Sequence, residues 1–251
     1  MRRWIKSLSL AVVALVAHSN VDARETVELP AKDGILVTAD VYEAEGKPDA
    51  PWIVLAHQAS ASRGEYRDIA PKLNSLGYNA IAIDQRSGKS FAGVFNDTAA
   101  RAKEAGKSVD FVDAIPDIAA GVDYVKSKGA KKVILWGSSY SAALVLLIAG
   151  GTPDLVDAVV AMSPGEYIKG KSVAEAAKSI KAPVLLVSPP EEAAQRKPIL
   201  AAVPHDEKTG FSPSNGGLHG SSALIEGFSP NPQPHWDVVI AFLRRYAPPG
   251  A

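Results

Sequence analysis

Cysteine is missing from all 251 residues of the sequence. Its absence excludes disulfide bonds, a thiolate nucleophile and cysteine-ligated metal centres. A chain without thiols is compatible with an oxidising compartment, where free thiols would be attacked. Any nucleophile must therefore be a hydroxyl, an amine, an imidazole or a carboxylate.

An excess of charge of either sign is also missing, because 27 basic side chains balance 27 acidic ones. No basic patch for nucleic acid is indicated. Hydrophobic residues make up 47% and charged residues 22% of the chain, as in a folded globular domain. Disordered and fibrous classes are excluded.

No apolar run is long enough to span a bilayer, which takes about 20 residues. The run at 8–17 follows a basic start with Arg2, Arg3 and Lys6, and Val21-Asp22-Ala23 has the small-residue character of a cleavage site. Residues 1–23 are thus predicted to be a signal peptide, and 24–251 an exported periplasmic or secreted domain without a stable membrane span. Its removal takes away three basic and one acidic side chain, so the net charge becomes −2. An uncleaved amphipathic anchor is the alternative.

Hydrophobic periodicity predicts an α/β fold. Residues 34–42 alternate like an antiparallel edge strand, and helices are predicted at 65–76, 116–128 and 139–149, each followed by glycine. Continuous apolar runs indicate buried strands at 52–56, 80–83, 133–136, 156–162 and 184–187. Alternating strands and helices predict one mostly parallel central sheet with helices on both faces and ligands at the carboxyl ends of the strands.

The strongest local motif is a buried strand that turns into an apolar helix through Gly137-Ser138-Ser139-Tyr140-Ser141. It resembles the nucleophile elbow, G-x-S-x-G, of the α/β-hydrolases, with Ser141 in place of the second glycine. The resemblance implies that Ser139 is the nucleophile and that Ser138 occupies the intervening position. A serine-rich helix cap is the simpler alternative.

In α/β-hydrolases the nucleophile is followed along the chain by an acid and then by a histidine. His219, in a glycine-rich loop near the C-terminus, fits the position of the base. His205 is the alternative, with the loop then acting as a lid. His235 is expected to belong to the start of a C-terminal helix at 236–246.

The acid is expected after the buried strand at 184–187, where Glu191 and Glu192 follow two prolines. Most α/β-hydrolases carry aspartate there, although glutamate is a permitted member of such a triad. The usual spacing favours Glu192, and Glu191 is the alternative acid. Both could instead simply open a helix, where acidic residues suit the dipole.

Backbone donors for an oxyanion are implied by the same resemblance. Tyr140 follows the nucleophile and supplies one N–H, and Gln58 or Ala59 supplies the second. These two residues belong to an early loop similar to the His-Gly loop of the family, with Gln58 where glycine usually stands. His57 is expected to brace this loop.

The resemblance covers residues 34 to the C-terminus and is closest to the branch of serine esterases and dienelactone hydrolases. The short segment between Met162 and Lys181 predicts no large cap domain, so the long loops at 87–115 and 205–218 are left to select the substrate. Gly88-Lys89-Ser90 is not a phosphate-binding loop, because Ile83 stands where such a loop needs glycine.

The implied activity is that of an exported serine hydrolase that cleaves a small-molecule carboxylic ester through an acyl-enzyme, with no metal or organic cofactor. Amide or thioester cleavage and acyl transfer to an alcohol stay open, as does the oligomeric state. A non-catalytic binding or scaffold protein of the same fold is the alternative function.

Overall fold

A computed structural model describes residues 24–47 and 49–250. The predicted signal peptide, at 1–23, lies outside the described residues. Within the described ranges, no helix is both long and apolar enough to cross a membrane.

One sheet of eight strands runs through the described part of the chain, in the order β1-β2-β4-β3-β5-β6-β7-β8. The first two strands pair antiparallel with each other, β2 pairs antiparallel with β4, and the remaining pairs are parallel. The strands are β1 Arg24–Pro30, β2 Leu36–Tyr42, β3 Trp52–Ala56, β4 Asn79–Ile83, β5 Val133–Ser138, β6 Ala158–Met162, β7 Val184–Val187 and β8 Lys208–Phe211.

Helices cover both faces of the sheet because the central strands are apolar on both sides. One core contains side chains from α3, α4, α5 and α6, and the other contains side chains from α1 and α7. Along β3 the side chains alternate between the two cores, with Val54 in the first and Leu55 in the second. The helices are α1 Ile69–Ser75, α2 Asp97–Glu104, α3 Ile115–Ser127, α4 Tyr140–Gly151, α5 Val173–Ala177, α6 Ala193–Ala202 and α7 Gln233–Tyr246.

The predicted fold class is confirmed, and the five buried strands agree with their expected bounds to within two residues. Residues 34–42 are indeed antiparallel but are not at the edge of the sheet, because β1 pairs along all of β2. The segment 205–218, expected to be irregular, contains β8, whose sequence Lys-Thr-Gly-Phe is too short and polar to signal a strand. The loop at 87–115 contains α2 and a turn of 3-10 helix at Phe111–Ala114.

Parallel pairing brings the carboxyl ends of β3, β5 and β6 to one edge of the sheet. Ala56 lies opposite Gly137, and Ser138 lies opposite Met162. β7 continues this register beside β6. Since only α5 separates β6 from β7, no large cap covers this edge in the described part of the chain.

Candidate active site

The turn from β5 into α4 has the backbone geometry of a sharp elbow. Ser139 has φ 59° and ψ −120°, a conformation that non-glycine residues rarely adopt. A Cβ at Gly137 would lie 2.2 Å from the carbonyl oxygen of Ser141, so the strand can approach the helix this closely only with glycine there. The Ser139 N–H donates to the Met162 carbonyl at 2.8 Å, which anchors the turn to β6.

Three predicted site residues are brought together at this turn. His219 Nε2 lies 2.7 Å from Ser139 Oγ, and His219 Nδ1 lies 2.6 Å from Glu192 Oε1. Because the Glu192 carboxylate can only accept, Nδ1 carries the proton and Nε2 is left to accept the Ser139 hydroxyl. The His219 side chain is 40% exposed and Glu192 is 18% exposed, so the base can be reached from solvent.

The two candidate acids occupy the same 3-10 turn, Pro190–Glu192, but point differently. Glu192 is half-buried and faces His219, whereas Glu191 is exposed. Within the described residues, no side-chain hydrogen bond or ion pair involves Glu191. The geometry therefore favours Glu192 in the acid position.

His205 is far from this group, since it precedes β8 and lies at the amino-terminal edge of the sheet, opposite the edge that holds Ser139. His235 is buried in the first turn of α7, and its ring meets Phe211 edge-on. His57 is fully buried, and burial lowers its pKa to about 4. Its Nε2 accepts from the Gln85 N–H at 2.9 Å, so the ring braces the early loop.

A family model described as serine aminopeptidase, S33, matches residues 47–206, more than half of the chain. The chain belongs to this family of α/β-hydrolases. A search of curated protein sequences finds no match.

Solved α/β-hydrolase structures share the fold over almost the whole chain. An esterase of Pyrococcus furiosus, Pf2001, is 19% identical with a TM-score of 0.70, and the match covers 89% of this chain and 93% of the esterase. A dienelactone hydrolase from Anabaena variabilis is 16% identical with a TM-score of 0.68, over 89% and 98% of the two chains. Est1E from Butyrivibrio proteoclasticus is 14% identical with a TM-score of 0.65, over 88% and 98%. At these identities the likeness establishes the fold.

The structure corrects one predicted oxyanion donor, Gln58, in the loop after β3. The Gln58 N–H donates to Glu65 Oε2 at 2.7 Å and is therefore occupied. Among the described residues, no acceptor is found for the N–H groups of Ala59 and Tyr140. The second candidate donor is thus Ala59 rather than Gln58.

Ser141, which replaces the second glycine of the motif, is fully buried and has two hydrogen-bond partners. Its Oγ donates to the His57 carbonyl at 2.6 Å and accepts from Gln85 Nε2 at 2.7 Å. The hydroxyl therefore ties the first turn of α4 to the loop after β3.

Glu65 is the residue of the site that the sequence analysis misses, because it lies at the start of the helix predicted at 65–76 and has no role there. It is 0% exposed, and its Oε1 accepts from the Ser138 hydroxyl at 2.7 Å. Burial raises the pKa of Glu65 to about 7, and the hydrogen bonds from Gln58 and Ser138 oppose part of this shift. The sequence signal that could identify Glu65 is an acidic residue directly after the predicted oxyanion loop, and in the structure it lies on the short turn Arg63–Tyr66.

An open cleft of about 490 Å³ lies beside the elbow. One wall carries Phe111, whose ring stacks on Tyr140 with centroids 4.3 Å apart. The other wall carries Tyr167, whose hydroxyl donates to the Ser163 carbonyl at 3.2 Å, and Ser163 Oγ accepts the N–H of Gly220. The lining of the cleft is thus connected to the residue after Ser139 through Phe111, and to the residue after His219 through Tyr167 and Ser163.

Among the described residues, no three His, Asp or Glu side chains form a group that could hold a metal ion. The candidate site consists of a hydroxyl, an imidazole, a carboxylate and two backbone donors, an arrangement suited to acyl transfer.

Proposed function

We propose that this chain is an exported serine hydrolase that cleaves carboxylic esters through an acyl-enzyme on Ser139. The observation that carries the proposal is the continuous relay from Ser139 Oγ through His219 to Glu192, with both contacts at 2.7 Å or less. A hydroxyl is a poor nucleophile at neutral pH unless a base within hydrogen-bond reach removes its proton. The relay supplies that base and holds it in the required tautomer.

Ser139 Oγ attacks the ester carbonyl as its proton passes to His219 Nε2. The Glu192 carboxylate stabilises the resulting imidazolium through Nδ1. The oxyanion is stabilised by the N–H groups of Ala59 and Tyr140, which have no other acceptor among the described residues. His219 then gives its proton to the leaving alcohol, and water attacks the acyl-enzyme with the same histidine as base.

The cleft beside the elbow supplies space for an apolar part of the substrate. Phe111, Val109, Val112 and Tyr167 offer it apolar and aromatic surface, and its mouth is open to solvent. A small-molecule ester, rather than a folded protein, suits a cleft of about 490 Å³.

Ester hydrolysis is tested with residues 24–251 and p-nitrophenyl esters of increasing acyl length, beside Ser139→Ala. We expect release of p-nitrophenol that the Ser139→Ala variant abolishes, and labelling of Ser139 by a fluorophosphonate probe. Aminoacyl p-nitroanilides in the same panel separate an esterase from an aminopeptidase. No turnover of any substrate together with no labelling would indicate a non-catalytic binding or scaffold protein.

Export is proposed from the basic start, the short apolar run and the Val21-Asp22-Ala23 site. Mass spectrometry of the mature protein, expressed from residue 1 in a Gram-negative host and recovered from the periplasm or the medium, should give Arg24 as the first residue. Retention of Met1 on membrane-bound protein would instead support the uncleaved anchor.

A further inference from the structure

Glu65 lies beneath the candidate site and uses both of its carboxyl oxygens there. Oε2 accepts from the Gln58 N–H at 2.7 Å, and Oε1 accepts from the Ser138 hydroxyl at 2.7 Å. Gln58 belongs to the oxyanion loop, residues 57–62, and Ser138 directly precedes the proposed nucleophile. One buried carboxylate therefore joins the oxyanion loop to the elbow.

The third segment, the histidine loop at residues 219–222, joins the same network. The Ser221 N–H donates to Ser138 Oγ at 2.8 Å. A backbone N–H can only donate, so Ser138 Oγ accepts from Ser221, and it donates its own hydrogen to Glu65, because an ionised carboxylate can only accept. Glu65 is therefore the final acceptor of this hydrogen-bond network, which begins at the N–H groups of Gln58 and Ser221.

Close packing leaves the three segments little freedom to move independently. A Cβ at Gly220 would lie 2.4 Å from Ser138 Oγ, so the histidine loop passes directly over the elbow. Gln58 Nε2 also donates to Ser222 Oγ at 3.2 Å, which links the oxyanion loop to the histidine loop. A shift of any one segment is transmitted to the other two.

We propose that Glu65 is a positioning residue that holds the oxyanion loop, the elbow and the histidine loop in their active arrangement, and that it does so only as a carboxylate. The inference rests on the proposed function of Ser139. Protonation of Glu65 weakens the present bonds, because a neutral carboxyl accepts less strongly and its new hydrogen can be accepted only if the Ser138 hydroxyl turns its own hydrogen away from Glu65. Gln58 and Ser138 both present donors to it.

The titratable groups around Glu65 come from all the packed segments. Tyr66 is its neighbour on the same turn, Tyr140 faces it from α4, and His57 and His219 belong to the two loops. Burial raises the pKa values of both tyrosines and lowers that of His57, so these three groups are neutral near pH 7. Arg63, on the same turn, pairs with Asp40 and Asp84 and not with Glu65, and desolvation is the largest cause of the raised pKa of Glu65.

Activity and stability should consequently respond to pH in opposite directions. Glu65 has a pKa of about 7 in the fold against an ordinary value of 4.5, so the folded state binds a proton that the unfolded state has lost between these values. Lowering the pH from about 7 to 4.5 therefore stabilises the fold through Glu65. The same protonation loosens the site.

The test is the pH dependence of ester hydrolysis by the wild type and Glu65→Gln. In the wild type, protonation of Glu65 loosens the site as the pH falls, so log kcat should decline more steeply below about pH 7 than it does in Glu65→Gln. In Glu65→Gln this steeper decline should be absent, with kcat lowered about ten- to hundred-fold at pH 8 and KM changed less than about three-fold.

The matched control is Asp117→Asn, which removes another carboxylate that is 0% exposed but pairs with Arg86, outside the three segments. Asp117→Asn should lower the stability of the fold without changing how log kcat declines as the pH falls below about 7. In urea unfolding, the wild type should gain stability relative to Glu65→Gln as the pH falls from 7 to 5. An acid limb of equal slope in the wild type and Glu65→Gln would overturn the proposal.

A readout that needs no turnover separates this inference from the function on which it rests. The backbone amides of Gln58 and Ser221 in ¹⁵N-labelled wild type should titrate together with a midpoint near 7, and both should lose this transition in Glu65→Gln. Amides that titrate in a protein that hydrolyses no ester would refute the proposed function while retaining the link between the loops. Amides that show no common transition would refute the role of Glu65 whether or not esters are cleaved.

Discussion

Ser139 can be replaced by alanine or by glycine, and both changes remove the hydroxyl, but only alanine keeps a Cβ on the strained backbone. At φ 59° and ψ −120° an L-residue is disfavoured, whereas glycine adopts this conformation readily. We expect Ser139→Gly to be more stable than Ser139→Ala, although both are inactive. The difference measures the strain that the elbow stores in the native chain.

The part of this stability difference that comes from backbone strain is obtained by subtracting two other differences between glycine and alanine. Glycine loses more entropy on folding than alanine, and it is the better residue at a helix N-cap, the position that Ser139 occupies in α4. Ser172 provides the control, because it is the N-cap of α5 with an ordinary φ of −104°. The stability gain of glycine over alanine should be larger at 139 than at 172 by about 1–3 kcal/mol.

The four variants are compared by urea unfolding, followed by tryptophan fluorescence, because Trp136 is fully buried in β5 next to the elbow. Equal m-values will show that the change is in stability and not in the extent of unfolding. If the difference in stability between the glycine and alanine variants at 139 equals that at 172 within about 0.5 kcal/mol, the elbow stores no strain and Ser139 is not held in a disfavoured conformation at a cost in stability.

Two further predictions concern the acid and the cleft. Glu192→Gln should lower kcat about 10³- to 10⁴-fold, because the amide can stabilise the wrong tautomer of the base, whereas Glu191→Gln, on the same turn but exposed, should stay within about two-fold. Equal losses in the two variants would reject the assignment. Phe111→Ala removes an aromatic wall of the cleft and should raise KM for butyrate about five- to ten-fold more than for acetate. Phe95 is 59% exposed and lies outside the cleft, so Phe95→Ala should change neither KM. A similar rise in the KM for butyrate in Phe95→Ala would show that the cleft does not bind the acyl group.

Sequence patterns predicted the parts of the molecule that depend on local residues. Continuous apolar runs located the buried strands, and the motif around Ser139 located the elbow, because a turn of this kind requires small residues at fixed spacing. The strand β8 was missed since its stability comes from pairing with β7 and not from its own four residues. β1 was missed in the same way, and its pairing moved β2 away from the edge.

The order of nucleophile, acid and histidine along the chain was enough to predict candidates for the three side chains of the site. Spacing favoured Glu192 over Glu191, and the structure supplies the distance to His219 that spacing lacks. The predicted donor Gln58 fails because its N–H is taken by a carboxylate seven residues later, a contact that depends on how the turn Arg63–Tyr66 folds back. Burial of a single glutamate cannot be inferred from one sequence, since acidic residues are mostly exposed.

The two departures from the family pattern, Gln58 and Ser141, are related, because both side chains form hydrogen bonds between the segments of the site. Gln58, in place of glycine, links its loop to Ser222, and Ser141, in place of the second glycine, bonds the carbonyl of His57. A glycine at either position would leave the loop after β3 with fewer side-chain bonds to its neighbours. Polar side chains that looked like losses from a catalytic motif thus form bonds between the segments that Glu65 joins. Their replacement by glycine should therefore loosen the site, even though each change restores the commoner sequence.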